Sequence, residues 1–467
     1  MRTLIPSCLS LLALGLTAAI APAQVAFDTF PADGQLYPRD AQDQALAAVA
    51  GRVTEAGWDR ARVVLLADGV QTHEQTAPLQ YTNGEAPFAF QVPLIAGLID
   101  YQVELQLIGN GAQQQVGLAQ YLCCGDVFLV NGQSNANAGD AWDENRANDL
   151  QSRWIRSWGT TSVVPNQLPK FMKWFIADGE NDSPRGAVGA WSLALASQIV
   201  KRAEVPVAIL NGSVGATPIH WHMRVDTNPG DLGTIYGRLL WRAEHAGLRQ
   251  HARAMFWYQG EANGGPSAAN YGAQFDRLIE DWHKDFPALE KVYLMQVRQG
   301  CGVDGQSDIY EVQRQIAQRH PEVQLMSTTA LPAHDGCHFY TGGYRTLAAH
   351  LTRLVARDFY QRPFGPAIEP PDVLAASRAS IAGDLLRVEL DAAAVGMVIE
   401  PGAQADFQLA DGAQVIDIQV QGQDLLLQLD RGTSSTTLRY VGHSGNDGGR
   451  IMNVLGVGLL TFEVPLN

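Results

Sequence analysis

Long apolar runs and positive charge are both scarce in this chain of 467 residues. After residue 23 no apolar run is long enough to cross a bilayer as a helix, so we expect no membrane span. Lys and Arg number 33 against 48 Asp and Glu, which gives a formal net charge of -15. Because affinity for nucleic acid depends on cationic side chains at phosphates, this balance argues against a nucleic-acid partner.

The first residues are typical of an export signal and not of a folded element. Arg2 supplies a positive start, an apolar stretch runs from Leu11 to Ile20, and Ala21-Pro22-Ala23 provides a cleavage pattern of small residues. We therefore predict a signal peptide over residues 1–23 and a mature protein that is secreted or periplasmic.

The pattern of apolar residues changes twice along the remaining sequence, which predicts three domains. Residues 24–125 contain short alternating apolar runs, such as residues 62–66, as in a small β-sandwich. Residues 126–362 alternate strand-like and helix-like segments, which predicts an α/β domain with a mostly parallel sheet covered on both faces. Residues 363–467 begin with a proline-rich linker and predict a C-terminal β domain, a second β-sandwich, with residues 405–409 as one of its strands. The predicted central helices are residues 190–202, 239–249, 271–286, 309–319 and 344–359.

Small and polar residues follow the predicted strands of the central domain. Ligands of open parallel sheets bind outside the carboxyl ends of the strands. We therefore expect four loops to converge on one edge of the sheet and to form a site. These loops are residues 131–135, 211–217, 259–263 and 334–338.

Three residues of these loops have the types and the order of a catalytic triad. Ser134 lies between a strand and a predicted helix, where a hydroxyl can be exposed beside helix N–H groups. Alone, such a serine is more often an ordinary helix cap. Asp335 and His338 are three residues apart, which lets a carboxylate orient an imidazole toward a nucleophile elsewhere in the chain. The order Ser, Asp, His is a known triad order, and we predict these three residues to be catalytic.

Other residues of the same loops are candidates for binding an oxyanion or for support. Gly215 can offer a backbone N–H at close range because it has no Cβ, unless it is only a turn glycine. Gln259 and Asn263 can donate side-chain N–H bonds to a developing oxyanion, or they can hold loop backbone. The residues that we expect to anchor the loops without reacting are Gln133, Asn135 and Glu261.

The cluster His220-Trp221-His222 allows two interpretations. Two histidines on one face of a strand-like segment suit a metal, but the sequence supplies no obvious third ligand and no C-x-x-C pair. We therefore predict no metal site, and we assign Trp221 to stacking against a sugar ring. His334 is expected to line the same pocket or to form a hydrogen bond.

Removal of the signal leaves Cys123, Cys124, Cys301 and Cys337, and four cysteines allow three pairings. Export permits disulfides. We favour Cys301–Cys337, because both residues lie in loops that we place near the site. Cys123 and Cys124 are adjacent, and they either form a vicinal disulfide or stay free.

With these loops defined, the chain resembles the carbohydrate-esterase branch of the SGNH hydrolase superfamily, most of all bacterial sialate O-acetylesterases. The similar blocks are residues 126–135 around Ser134, residues 212–219 with the glycine block, residues 257–263 with Gln-Gly-Glu, and residues 335–338. The resemblance implies a flavodoxin-like catalytic domain that removes O-acetyl groups from a carbohydrate without a cofactor. It also implies that the N–H groups of Ser134 and Gly215, and the side chain of Gln259 or Asn263, hold the oxyanion.

Two other functions fit the same residues. Neither the loops nor the composition distinguishes a sialic acid from xylose, so a deacetylase of xylan or of another polysaccharide is one alternative. A noncatalytic carbohydrate-binding protein on an esterase-like fold is the other, although the three triad residues argue against a pure binder. A sialic acid carboxylate needs an arginine, for which Arg185, Arg224 and Arg298 are candidates.

Overall fold

The computed structural model describes residues 25–139, 144–160, 165–180, 185–265, 268–443 and 448–467. The predicted signal peptide lies outside these residues. Strands precede and follow a central set of alternating helices and strands, so the architecture is mixed α/β. No helix in these ranges combines the length and the apolar character needed to span a membrane.

The N-terminal part of the chain consists of strands: β1 (Val25–Thr29), β2 (Leu36–Pro38), β3 (Gln44–Val53), β4 (Arg60–Ala67), β5 (Val70–Pro78), β6 (Ala86–Ile95) and β7 (Tyr101–Gly109). One antiparallel sheet has the order β1-β3-β6, and in a second β4 pairs with β5 and β7. Buried and exposed side chains alternate along β6, the pattern of a strand with one face on a core. Val49, Val63, Phe90 and Leu105 belong to the apolar core that the two sheets share.

The long strand β8 (Ala112–Gly132) belongs to both the N-terminal and the central parts of the molecule. Its first half pairs antiparallel with β7, and its second half lies parallel to strands of the central sheet. Adjacent side chains on a strand point to opposite faces. Cys123 accordingly lies in the central core and Cys124 in the N-terminal core. Both are buried free thiols, so no vicinal disulfide joins them.

The central part continues with α1 (Ser134–Asn137), β9 (Ile155–Trp158), β10 (Trp174–Ile176), α2 (Ala190–Ala203), β11 (Val207–Asn211), α3 (Ile235–His245), β12 (Ala252–Tyr258), α4 (Tyr271–Asp285), β13 (Lys291–Gln296), α5 (Ile309–Arg319), β14 (Val323–Ser327) and α6 (Thr341–Tyr360). Short 3-10 helices occupy Pro165–Lys170, Ile219–His222 and Glu261–Asn263. The strand order is β10-β9-β11-β8-β12-β13-β14. Neighbours from β9 to β14 are parallel, and β10 is antiparallel to β9. Every residue of β11 is buried, as in a strand covered on both faces.

The predicted central helices agree with the structure within three residues at each end, except for α3. That helix begins at Ile235, four residues before its predicted start. Its cap is Thr234, whose side chain accepts a hydrogen bond from the backbone N–H of Gly237. The sequence pattern predicts neither β9 nor β10, because strands of four and three residues are too short for a periodic signal.

The C-terminal part contains β15 (Val373–Arg378), β16 (Leu385–Leu390), β17 (Val398–Ile399), β18 (Phe407–Leu409), β19 (Val415–Gln421), β20 (Asp424–Leu429), β21 (Thr437–Tyr440), β22 (Ile451–Met452) and β23 (Phe462–Pro465), with 3-10 helices at Pro366–Ile368 and Ala403–Asp406. Its sheets have the orders β15-β16-β20-β19 and β18-β21-β23, with β17 paired to β22. They enclose a separate apolar core. The strand predicted over residues 405–409 is wrong in its first half, which belongs to a 3-10 helix.

The C-terminal part packs directly on the central sheet. At the end of β13, the Gln296 side chain accepts from Thr461 N at 2.9 Å and donates to Thr461 O at 2.8 Å. Val441, Val457 and Leu460 lie in the central core and not in the C-terminal one. The C-terminal part is thus positioned to influence the loops at the carboxyl ends of the central strands.

Candidate active site

The loops after β8, β11, β12 and β14 meet at one edge of the central sheet. Because these strands are parallel, their carboxyl ends lie side by side. Two backbone hydrogen bonds join the loops to each other. Val214 N donates to Gly132 O at 3.0 Å, and Gln133 N donates to Tyr258 O at 2.9 Å.

Ser134 is the first residue of α1, directly after a sharp turn at Gly132. A Cβ atom at Gly132 would lie 2.1 Å from Tyr258 O, and its φ is +135°, so only glycine fits this turn. The turn places Ser134 Oγ 2.9 Å from His338 Nε2. A serine hydroxyl hydrogen-bonded to an imidazole is the arrangement from which a serine can act as a nucleophile.

Asp335 shapes the turn that carries His338. Its Oδ1 accepts hydrogen bonds from the backbone N–H groups of Cys337 and His338, both at 2.7 Å, and Asp335 N donates to His338 O at 3.1 Å. Among the described residues no hydrogen bond or ion pair joins the Asp335 carboxylate to the His338 imidazole. We expected the Asp335 carboxylate to orient the His338 ring directly. In the structure it bonds the backbone of the turn that carries His338.

The predicted disulfide Cys301–Cys337 is confirmed. It joins the loop after β13 to the turn that precedes α6. Cys337 is adjacent to His338 in sequence, and its Sγ lies 3.6 Å from His338 Nε2. The disulfide therefore lies directly beside the imidazole.

His334 does not line a pocket, because its side chain is only 2% exposed. Its Nδ1 accepts hydrogen bonds from Gly336 N and from Arg298 Nη2, both at 3.0 Å. Its Nε2 lies 3.1 Å from Nε2 of His443 in the C-terminal part. Burial, aided by Arg298, lowers the pKa of His334 to about 4. The neutral ring thus holds Gly336, in the middle of the Asp335–His338 turn, against the C-terminal part.

His443 is the residue that sequence reasoning missed. Its backbone O accepts from Arg298 Nη1 at 2.9 Å and its ring contacts His334, so His443 is linked at two points to the hydrogen bonds that hold the turn of His338. Burial lowers the pKa of His443 to about 3. No local signal marks His443, because it lies 109 residues after its partner His334.

Gly215 lies beside Ser134. A Cβ atom placed on Gly215 would be 3.9 Å from Cβ of Ser134. Gly215 is exposed, and it directly follows Val214, whose N–H fixes this loop to Gly132. Its backbone is therefore within reach of a group bound at Ser134.

The two amides of the third loop have different surroundings. Gln259 is fully buried, and its Nε2 donates to Thr217 O at 3.0 Å, to Asn263 Oδ1 at 2.8 Å and to Gln133 Oε1 at 3.2 Å. The N–H groups of Gln259 thus have acceptors within the loops, whereas the predicted role of an oxyanion donor needs one of them for the substrate. Asn263 Oδ1 also accepts from Ile219 N at 2.9 Å. With its oxygen fixed by two donors, Asn263 has its Nδ2 left for another group.

Asn135, the residue after Ser134, is bonded to the turn of His338. Its Nδ2 donates to Cys337 O at 3.1 Å and to Glu261 Oε1 at 2.9 Å, and its Oδ1 accepts from Tyr344 at 3.2 Å. Burial raises the pKa of Glu261, although the bond from Asn135 opposes that effect. Gln133 Oε1 accepts from Ala262 N at 3.1 Å. Gln133, Asn135 and Glu261 are thus placed as links between loops.

The segment His220-Trp221-His222 is part of a 3-10 helix, not of a strand. The imidazole of His222 is fully buried and lies 2.8 Å from Thr217 Oγ1. Burial lowers its pKa to about 3. Trp221 is 57% exposed, which is unusual for so large an apolar side chain. The indole face is available to a ligand, whereas His222 supports the loop.

Each of the three arginines considered for a sugar carboxylate contacts another part of the protein. Arg224 donates through Nε to Asp285 at 2.8 Å and pairs with Asp226 through Nη1 at 2.5 Å. Arg298 is 6% exposed and bonded to His334 and His443. Arg185 lies over the ring of Phe171 at 5.9 Å.

A family model described as "Carbohydrate esterase, sialic acid-specific acetylesterase" matches residues 124–357, which is half of the chain. The chain therefore belongs to this family of carbohydrate esterases. It is an enzyme, a carboxylic ester hydrolase that acts on acetylated sugars.

The structure is similar to a carbohydrate acetylesterase from Xanthomonas citri, with a TM-score of 0.64 and 17% sequence identity over 94% of this chain and 99% of that one. At this identity the likeness concerns the fold. A protein from Arabidopsis thaliana is similar over 50% of this chain and 99% of its own, with a TM-score of 0.39 and 19% identity. No curated protein matches the sequence.

Proposed function

We propose that the protein is an exported serine esterase that removes O-acetyl groups from a carbohydrate, in the manner of a sialate O-acetylesterase. The observation that carries the proposal is the 2.9 Å separation of His338 Nε2 and Ser134 Oγ. A hydroxyl in this contact can lose its proton to the imidazole as it attacks a carbonyl carbon.

In the proposed reaction Ser134 Oγ attacks the acetyl carbonyl carbon while His338 Nε2 accepts the hydroxyl proton. The bond between the carbonyl carbon and the sugar oxygen then breaks, and His338 returns the proton to that oxygen. Water, deprotonated by His338, then attacks the acetyl group on Ser134. The bond between the carbonyl carbon and Ser134 Oγ breaks, His338 returns the proton to Oγ, and acetate leaves. Asp335 acts through the backbone of the turn, which aims His338 at Ser134.

Three N–H donors are proposed to hold the oxyanion. Ser134 N and Gly215 N are backbone donors, and Ser134 occupies the first position of α1, where an N–H lacks an intrahelical acceptor. The third donor is Asn263 Nδ2. Two hydrogen bonds to its own Oδ1 support this choice, because they orient the amide before the substrate binds.

Two kinds of sugar are candidates for the acetylated substrate. The family name favours a sialic acid, and the exposed indole of Trp221 suits a sugar ring of either kind. A neutral acetylated polysaccharide such as acetylxylan is the second candidate. It is favoured by the burial of Arg298 and by the ion pairs of Arg224, since neither guanidinium is available to a sugar carboxylate.

We also propose that the central sheet is flavodoxin-like and that the chain forms three domains. The order β11-β8-β12-β13-β14 corresponds to 2-1-3-4-5 along the chain, the order of a flavodoxin-like sheet. Three separate apolar cores support division into domains at residues 24–125, 126–362 and 363–467. The disulfide Cys301–Cys337 suits the oxidising environment of a secreted or periplasmic protein.

The test is acetate release from a small chromogenic acetyl ester, an O-acetylated sialic acid and acetylated xylan by the wild type, Ser134→Ala and the control Ser377→Ala on β15. We expect the wild type and the control to release acetate and Ser134→Ala to fall to background. The natural substrate that responds identifies the sugar. A folded wild type that releases acetate from none of them, or an active Ser134→Ala, would contradict the proposal.

A further inference from the structure

Two sulfur atoms and an imidazole are gathered at the disulfide. One imidazole nitrogen of His338 and the Sγ atoms of Cys301 and Cys337 all lie within 4.8 Å of one another. Thiolates and imidazoles are the ligands that soft and borderline divalent metals prefer. In the oxidised protein the sulfurs are bonded to each other and offer no thiolate.

The separation between one sulfur and the imidazole matches that of zinc ligands. Zinc binds a thiolate at about 2.3 Å and an imidazole at about 2.0 Å, so tetrahedral ligands of these two kinds lie about 3.6 Å apart. Cys337 Sγ and His338 Nε2 are 3.6 Å apart. Two adjacent ligands therefore already have the separation that the metal requires.

Bonds other than the disulfide also hold the two loops in place. Asn135 Nδ2 donates to Cys337 O at 3.1 Å, and Asp335 Oδ1 fixes the N–H groups of Cys337 and His338. On the opposite loop, Gln299 N donates to Val441 O at 3.1 Å and Asp304 N donates to Gly264 O at 2.8 Å. Reduction of the disulfide therefore leaves the two thiols on loops that remain anchored beside His338.

We propose that the reduced protein binds Zn²⁺ through Cys301, Cys337 and His338 Nε2, and that this binding inactivates the enzyme. A phosphine reductant breaks the S–S bond: phosphorus takes up the oxygen of one water molecule, and the two protons of that water go to the two sulfurs. Zn²⁺ then displaces both thiol protons. The metal occupies the nitrogen that otherwise contacts Ser134 Oγ, so the chain is inactive while reduced and metal-bound.

Metal binding rests on the positions of Cys301, Cys337 and His338 and on reduction of the disulfide, whereas the loss of activity rests on the proposed role of His338. The experiment therefore measures the two separately. Reduced wild type, oxidised wild type and the double variant Cys301→Ser/Cys337→Ser are titrated with Co²⁺, with the thiolate-to-cobalt absorption band as the readout. Zn²⁺ is then titrated against hydrolysis of a chromogenic acetyl ester.

We expect the cobalt band in the reduced wild type only, at one ion per chain. The oxidised wild type keeps the free thiols of Cys123 and Cys124, so it controls for binding at those residues. Saturating Zn²⁺ should lower the activity of the reduced wild type roughly 100-fold, the contribution of a general base, and a chelator should restore it. The oxidised protein and the double variant should not respond.

Absence of the band from reduced, folded wild type would overturn the proposal. A band without inhibition would overturn the proposed inactivation, because either the metal does not hold His338 or His338 is not the base. If reduction unfolds the protein, Cys301→Ala supplies Cys337 and His338 without a reductant. This variant should bind Co²⁺ weakly and lose that binding when His338→Ala is added; binding that persists would overturn the site.

Discussion

Replacement of Asn263 by alanine is the sharpest test of how the site stabilises its transition state. The amide is fixed by Ile219 N at 2.9 Å and by Gln259 Nε2 at 2.8 Å, both on Oδ1, which directs Nδ2 away from those partners. One preoriented oxyanion donor contributes about 3 kcal/mol to the transition state. Asn263→Ala should therefore lower kcat roughly 100- to 1,000-fold. KM should change little, because the donor acts mainly on the charge that develops during the reaction.

The assay is steady-state hydrolysis of a chromogenic acetyl ester, with thermal melting to verify folding. Asn263→Asp keeps the acceptor for both donors but removes the N–H groups, so it should lose at least as much activity as Asn263→Ala. The matched control is Asn270→Ala, because Asn270 is exposed and its side chain does not cap α4. A folded Asn263→Ala whose kcat stays close to that of the wild type would refute the assignment.

Three further predictions follow from burial and contacts. Burial raises the pKa of Glu261 in the folded state, so wild-type stability falls as the pH rises above about 4.3, the usual carboxyl value in an unfolded chain. The melting temperature of Glu261→Gln relative to wild type should accordingly increase from about pH 4 to about pH 7, and a constant difference would count against a buried charge. His443→Ala should lower kcat roughly tenfold at unchanged KM, because it loosens the turn through His334. His443→Gln should recover part of the loss, and the control His350→Ala, which removes another histidine that is 4% exposed, should not lower kcat; equal effects of the two alanine variants would indicate only a loss of stability. Trp221→Ala should raise KM for an acetylated oligosaccharide roughly tenfold but not for a small ester, and equal KM values for wild type and variant would remove the indole from the substrate site.

The meeting of the loops was predictable because each loop directly follows a buried strand. Parallel strands bring their carboxyl ends to one edge whatever the details of packing. Ser134, Gly215 and His338 could therefore be placed near one another from the sequence. The short strands β9 and β10 could not be predicted, since so few residues carry no periodic pattern.

The sequence pattern does not predict the contacts that side chains form within the loops. A spacing of three residues allows Asp335 to bond either the ring or the backbone of His338, and only the geometry distinguishes the two. Gln259 and Asn263 carry the same functional group, and the buried position of Gln259 decides which amide is committed to loop backbone. The sequence leaves His334 either in a pocket or in a hydrogen bond, because nothing near it in sequence reveals its buried partner His443.

Covalent labelling of the nucleophile tests the central claim most directly. A fluorophosphonate reacts with a serine hydroxyl that an adjacent base activates. Incubation of wild type, Ser134→Ala and His338→Ala with this probe, followed by intact-mass analysis and peptide mapping, measures both the site and the rate of labelling. We predict one label per chain on the peptide that contains Ser134, its loss in Ser134→Ala and much slower labelling in His338→Ala. Labelling at a different serine, or an unchanged rate in folded His338→Ala, would contradict the account.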